Sequence, residues 1–293
     1  MTDDDDILYR FLLERAQLRG VLVRLTSSWQ QVRSRADYPA VVADLLAKAL
    51  TASAVFTGNI KFEGSLSIQL KAAGALTLLF AECGHDGRVR GLARWRPDLA
   101  PDFRLSASGS PLLAITIENA ASGQRYQGIV PVDDDDLAVL FARYFERSEQ
   151  LPTRVLLACD GDRCAGLMVQ QLPATGAGTD PDAWNRVGHL LATATSDELL
   201  SLDAEQLLLR LFHEETVRVL ATQPLQFGCR CSRERVAGVL RTLGREEALA
   251  SLQDDGRAEV TCEFCNTHYH FDAIDIERIF RDPAGTPTSA AEH

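Results

Sequence analysis

A chain of 293 residues with 46% apolar and 24% charged side chains has the make-up of a soluble globular protein, with room for one large domain and a small one. Its formal charge of -11, with 8 Lys/Arg against 12 Asp/Glu from Leu225 onward, argues against a nucleic-acid partner, because that affinity depends on neutralising phosphates with basic side chains. The opening Met-Thr-Asp-Asp-Asp-Asp lacks the basic and apolar stretches of a secretory signal, and no apolar run approaches the roughly 20 residues that span a bilayer. No membrane partner is expected. The expected compartment is the cytoplasm, where thiols stay reduced and clustered cysteines report metal or redox chemistry.

In chain order, Asp3 to Asp6 stand where they would favour the positive end of a helix over residues 7–17. Tyr38-Pro39 opens a second helix, with Pro near its first turn. Between Ala40 and Phe56 it is apolar nearly all round, with Asp44 and Lys48 its only charges, the pattern of a helix buried in a large core. Strand-like stretches follow at 65–71, where Leu66, Ile68 and Leu70 alternate, and at 75–81, 88–95, 112–117 and 125–132. Gly-containing turns such as 83–87 separate them, which predicts an antiparallel meander or a pair of sheets. Asp133 to Asp136 precede a helix over 137–149, and two further strands are expected at 153–159 and 165–172.

The Pro/Gly-rich run 173–181 is the clearest break in the chain. Beyond it, Thr195 and Glu198 fit a capping box, and Asp203 with Gln206 caps the next segment. That segment carries Leu207, Leu208, Leu209, Leu211 and Phe212, too dense an apolar set for a solvent-facing helix. The fold expected is α+β. A large mixed helix and antiparallel-sheet domain with a buried helix spans 1–175, a helical linker 176–227, a small zinc module 228–282, and a Pro/Thr/Ala-rich disordered tail 283–293.

Four of the seven cysteines form the pattern Cys229-x-Cys231, thirty residues, Cys262-x-x-Cys265. Zinc takes four such ligands in a tetrahedron, and two closely spaced pairs need only two tight turns plus folding of the insert. Residues 257–261 and 269–271 read as strands flanking the second pair, so that Cys262 and Cys265 sit on a knuckle within a hairpin. Two short helices are expected in the insert, one opening at Ser232 and one at Gly244. The competing readings are unligated core thiols, a thioredoxin-like pair at Cys262 and Cys265, and replacement of a cysteine ligand by His268 or His270. Paired ligand spacing weighs against the first. The Asn-Thr-His-Tyr-His-Phe that follows Cys265 is no helix opening, which weighs against the second. Four thiolates already fill a tetrahedron, which favours a structural place for the histidines. Cys83, Cys159 and Cys164 carry no companion pattern. Phosphate-loop, dinucleotide, nucleophile-elbow and H-E-x-x-H motifs are all absent, so no enzyme activity is expected.

The cysteine pattern and its surroundings resemble the heat-shock protein 33 family, the redox-regulated holdase chaperones of bacteria. The likeness rests on Cys229-Arg-Cys231-Ser-Arg-Glu-Arg, Leu240-Arg-Thr-Leu, and Cys262-Glu-Phe-Cys265 with Tyr269 and Phe271. It extends to Arg19-Gly20, Asp37-Tyr38-Pro39, the run from Arg125 to Val130, the run from Tyr144 to Arg154, and Leu211-Phe212-His213-Glu214-Glu215. The resemblance implies an ATP-independent chaperone that is inactive when reduced and holding one zinc per chain. Oxidants would join Cys229 to Cys231 and Cys262 to Cys265 as disulfides, release the zinc and expose a surface for unfolded or oxidatively damaged client proteins. It also implies a homodimer when oxidised and active. A constitutive zinc-ribbon interaction protein with a purely structural metal is the alternative, and a thiol oxidoreductase a third.

Overall fold

Residues 7–25 form two strands where the acidic lead suggested a helix over 7–17. The computed structural model describes residues 6–60, 63–172, 180–252 and 256–281. Strands β1 (Ile7–Leu13) and β2 (Leu18–Leu25) make a hairpin whose turn ends on Gln17, held at φ 54°. The Ile, Tyr and Phe of β1 are strand formers. Pairing on both edges, with β2 and with a strand more than two hundred residues later, overrides the helix-favouring charge before it.

After α1 (Ser27–Arg33), helix α2 (Ala40–Thr57) follows Pro39 as expected. Then come β3 (Gly64–Lys71), β4 (Leu76–Gly84), β5 (Arg88–Trp95), β6 (Leu112–Asn119) and β7 (Arg125–Pro131), an antiparallel set. Helix α3 (Leu137–Tyr144), capped by Asp136, runs on into a π-helical turn (Phe145–Glu149). Strands β8 (Thr153–Cys159) and β9 (Cys164–Gln171) form a second hairpin. Helices α4 (Ala183–Ala192), α5 (Ser196–Ser201) and α6 (Ala204–Phe212) lead to strands β10 (Val217–Pro224) and β11 (Gln226–Phe227). The capping box of Thr195 with Glu198 and the Asp203 cap on Gln206 N are both formed. Part of the stretch read as a helical linker is thus strand. The proposed boundary loop lies mostly at 173–179 and the proposed tail at 283–293, outside the described residues.

One sheet runs β10-β1-β2-β9-β8 and the other β11-β5-β4-β3-β6-β7. Helix α2 lies between them. By length and composition it could cross a membrane, yet 78% of it is buried as the core. Side-chain alternation covers both faces of the first sheet. Val21, Val23, Leu25 and Met168 pack towards α2, while Phe11, Leu22, Leu167 and Val169 share a second core with α4, α5 and α6. In that second core Phe11 stacks on Phe212 of α6, ring centroids 6.2 Å apart. Gly20, opposite Phe11 in the pairing, makes this possible, since a Cβ there would fall 2.0 Å from the Phe11 ring. Gly20→Val is therefore expected to displace Phe11 and to cost about 1–3 kcal/mol, as overpacking a core does. An unchanged urea midpoint for the reduced variant would refute this account of Gly20.

Contacts divide the chain into two compact units between Gly228 and Cys229. The second unit contains α7 (Arg233–Leu243), α8 (Arg245–Ala250), the hairpin β12 (Arg257–Thr261) and β13 (His268–Asp272), and α9 (Ala273–Arg281). Its core is small: Val236, Leu240, Ala248, Ala258, Phe271, Ile276 and Ile279.

Candidate metal centre

Two turns bring the cysteines together. Cys229 and Cys231 lie on irregular chain that ends at Ser232, whose side chain accepts from Arg235 N and starts α7. The Arg235 guanidinium reaches back to donate to the Arg230 carbonyl at 2.7 Å, which ties the residue between the two thiols to α7. Cys262 and Cys265 occupy the knuckle between β12 and β13. There Cys262 N donates to Thr267 O at 2.9 Å, Asn266 N donates to Cys262 O at 2.7 Å, and Asn266 takes a left-handed φ of 58°. Arg233 clasps the two halves. It donates to the His270 carbonyl at 2.7 Å, pairs with Asp275 at 2.7 Å and lies over the Phe271 ring at 4.3 Å.

The four sulphurs all lie within 4.8 Å of one another, with Cys229 to Cys262 at 3.6 Å and Cys231 to Cys265 at 3.3 Å. A tetrahedron with metal–sulphur bonds of about 2.3 Å has sulphurs about 3.8 Å apart, so the cluster has the size and the soft donors to hold a metal ion. Burial pushes the thiols of Cys229, Cys231 and Cys262 above their ordinary range. Cys265 is held down at about 7: burial opposes its charge, but the Thr267 hydroxyl and amide, then Cys231 and Cys262, stabilise it. Tyr269 donates its hydroxyl to Cys231 Sγ at 3.1 Å, and that bond comes first among the causes that push its own pKa up to about 12.

Neither histidine joins the cluster. The His268 ring meets the Glu259 carboxylate and Thr261 Oγ1 across the hairpin, and the His270 side chain is exposed. The alternation His-Tyr-His-Phe in β13 carries this signal, since period two puts Tyr269 and Phe271 on one face and both histidines on the other. The sequence reading missed Arg233, Thr267 and Asp275. Cys83, Cys159 and Cys164 lie in the first unit, on β4, β8 and β9.

A sequence model of the Hsp33 protein family matches residues 6–272. The chain belongs to the Hsp33 family. The 33 kDa chaperonin of Nitrosococcus oceani is 43% identical over 289 residues, covering 98% of this chain and 99% of its own. That of Methylobacillus flagellatus is 40% identical with the same coverage. The solved 33 kDa chaperonin (heat shock protein 33 homolog) of Thermotoga maritima shares the fold, with a TM-score of 0.78, 20% identity, and coverage of 94% of this chain and 97% of that one. The Hsp33-like stretches now have physical roles. Ser232, Arg233 and Arg235 hold the two turns and α7 together, and Gly20 makes room for the Phe11 ring.

Proposed function

We propose that this chain is a redox-regulated, ATP-independent holdase chaperone, carrying one zinc ion per chain on Cys229, Cys231, Cys262 and Cys265 when reduced and inactive. The observation that carries the reading is the cluster of four sulphurs in a module with a core of seven residues, in a chain of the Hsp33 family. Bound zinc supplies charge that keeps the four sulphurs as thiolates at neutral pH. The protein side holds them close: Tyr269 and Thr267 hydrogen-bond Cys231 and Cys265, while the arginine contacts fix both turns.

In the proposed switch, peroxide oxidises the pairs Cys229–Cys231 and Cys262–Cys265. In each pair one sulphur attacks a peroxide oxygen and becomes a sulfenic acid, and the other displaces water from it to form the disulfide. Each disulfide needs one peroxide and two protons from solvent, and yields two waters. Both bonds are local, so neither crosses the thirty-residue insert, and the tie between the two turns is lost with the metal. Clients are unfolded or oxidatively damaged proteins, the active form is a homodimer, and the site of action is the cytoplasm. The linker, 176–227, is the redox-sensitive element between the core domain, 1–175, and the zinc domain, 228–282. Its helix α6 buries Leu207, Leu208, Leu211 and Phe212 against the first sheet, so undocking it uncovers Phe11, Leu22, Leu167 and Val169 as an apolar face for clients.

The test is an aggregation assay with a thermally unfolding client and no nucleotide. Peroxide with mild heat is expected to release zinc and switch on suppression, and a thiol reductant to reverse the disulfides. Full suppression by reduced, zinc-loaded protein overturns the switch in favour of a constitutive binder. Tyr269→Phe, which removes the hydroxyl on Cys231, is expected to lower zinc affinity about 10- to 100-fold in competition with a chelator. His268→Ala and His270→Ala leave affinity nearly intact, and loss of zinc in either would replace the ligand set.

A further inference from the structure

Outside the metal module, two more cysteines stand opposite each other across a hairpin. Cys159 ends β8 and Cys164 begins β9, and the two are direct partners in the antiparallel register. Asp160 N donates to Arg163 O at 3.2 Å, and Gln171 N to Pro152 O at 3.0 Å at the other end of the hairpin. Hydrogen-bonded pairs alternate with non-bonded ones in such a ladder, so both ends place Cys159 and Cys164 at a non-hydrogen-bonded position. Cα atoms there stand about 4.5 Å apart, within the separation a disulfide spans.

Both side chains point to the same face. Cys159 and Cys164 pack into the core around α2, whereas Ala158 and Ala165, one step away on each strand, pack into the other core. Access differs between them. Cys164 is 1% exposed, while Cys159 is half-buried and its sulphur accepts from Gly161 N at 3.3 Å. Burial pushes both thiols up, Cys164 further. Cys159 is thus the sulphur an oxidant reaches first, with Cys164 behind it. The third cysteine of this unit, Cys83, is buried opposite Leu66 and Val89, neither of them a thiol.

We propose that Cys159 and Cys164 are a second redox site, a cross-strand thiol pair that hydrogen peroxide closes to a disulfide independently of the metal module. Cys159 Sγ attacks a peroxide oxygen, the O–O bond breaks, and one water leaves as the sulfenic acid forms. Cys164 Sγ then attacks the Cys159 sulphur, the S–O bond breaks, and a second water leaves as the S–S bond forms. Two electrons pass from the sulphurs to the peroxide, and both thiol protons end in water. The bond closes the loop on which α1 hangs, where Gly161 O accepts from Trp29 Nε1 at 2.9 Å and from Arg33 at 2.7 Å. It staples the core domain under the same oxidant that loosens the zinc module.

Arg163 lies between the two cysteines, so trypsin separates them. Full-length protein is treated with hydrogen peroxide, alkylated under denaturing conditions without reduction, and digested. The expected product is peptide 155–163 joined to peptide 164–186, parted by a thiol reductant. Of the seven thiols one, Cys83, then remains alkylatable, where a reduced pair leaves three. The same joined peptides are expected after Cys229, Cys231, Cys262 and Cys265 are all changed to Ser, so failure of the zinc switch and failure of this site are read separately. In Cys164→Ser the Cys159 sulfenic acid has no partner and is trapped by dimedone. Separate, fully alkylated peptides after the metal-site cysteines of the parent protein have oxidised, a link to Cys83 or to a second chain, or no dimedone adduct at Cys159 in Cys164→Ser, each overturns the proposal.

Discussion

Cys262→Ser is expected to unfold residues 229–281 while leaving the first unit folded. Among the described residues of the second unit five large apolar side chains are buried, Val236, Leu240, Phe271, Ile276 and Ile279, and each contributes about 1.5–3 kcal/mol. The remaining buried members are alanines, and so small a core must hold two hairpin strands and three helices against their conformational entropy. A structural zinc on the four cysteines, as proposed for the reduced state, would add on the order of 10 kcal/mol, comparable with the whole of that burial. Replacing one thiolate by a hydroxyl removes a soft ligand and the tie between the two turns. The expected result is loss of amide protection over 229–252 and 256–281, with 64–131 and α2 still protected. A chelator acting on the parent protein should reproduce this pattern, and more readily as the pH falls. Burial holds Cys229, Cys231 and Cys262 above their ordinary range, so without metal they are protonated at neutral pH. Metal binding must displace those protons, and added acid competes with it. A module that stays protected in Cys262→Ser, or an affinity indifferent to pH between 6 and 8 (roughly the range over which thiolate supply changes), would show that the core holds without the thiolates.

Local chemistry was legible in the sequence and long-range pairing was not. Spacing alone singled out the four cysteines, because a knuckle is a matter of three or four residues and both turns are closed by neighbours such as Arg235 and Thr267. The meander from Gly64 to Pro131, the buried α2 and the cap at Thr195 also rest on patterns within a few residues. By contrast, β1 is held on its far edge by β10, which pairs Ile7 with Pro224 and Leu13 with Val217, as well as by β2. No window of sequence contains both β1 and β10, and the acidic residues before β1 pointed to a helix. Strand β2 and helix α1 carried no turn or capping signal strong enough to read. Strand β10 was hidden for the same reason as β1, within a stretch whose leucines suggested helix throughout. Of the functional residues missed at the metal centre, Arg233 and Asp275 meet across 42 residues of chain and became visible only when α7 and α9 were placed.

Phe212→Ala is expected to yield a chaperone active without oxidation. Phe212 is fully buried, stacks on Phe11 and ends the apolar stripe of α6, with Leu207, Leu208 and Leu211 beside it. Truncating such a side chain costs about 3–5 kcal/mol. A domain holds only about 5–15 kcal/mol in total, and a linker docked along one sheet face draws on a fraction of that. The chain leaves that face through β10, paired with β1, and through the two residues of β11 paired with β5, before it reaches Cys229. Loss of the Phe212 anchor therefore shifts α4 to α6 towards an undocked state and exposes Phe11, Leu22, Leu167 and Val169, the surface the proposed switch uncovers by oxidation. In hydrogen exchange, the reduced, zinc-loaded variant should lose protection over 183–224 while α2 and β3 to β6 keep theirs. In the aggregation assay it should suppress a thermally unfolding client without peroxide, where the reduced parent does not. Undocked helices with no gain in client protection would separate the linker from the client surface and place that surface elsewhere. An unchanged exchange pattern would show that the Phe11–Phe212 stack is not what holds the linker down.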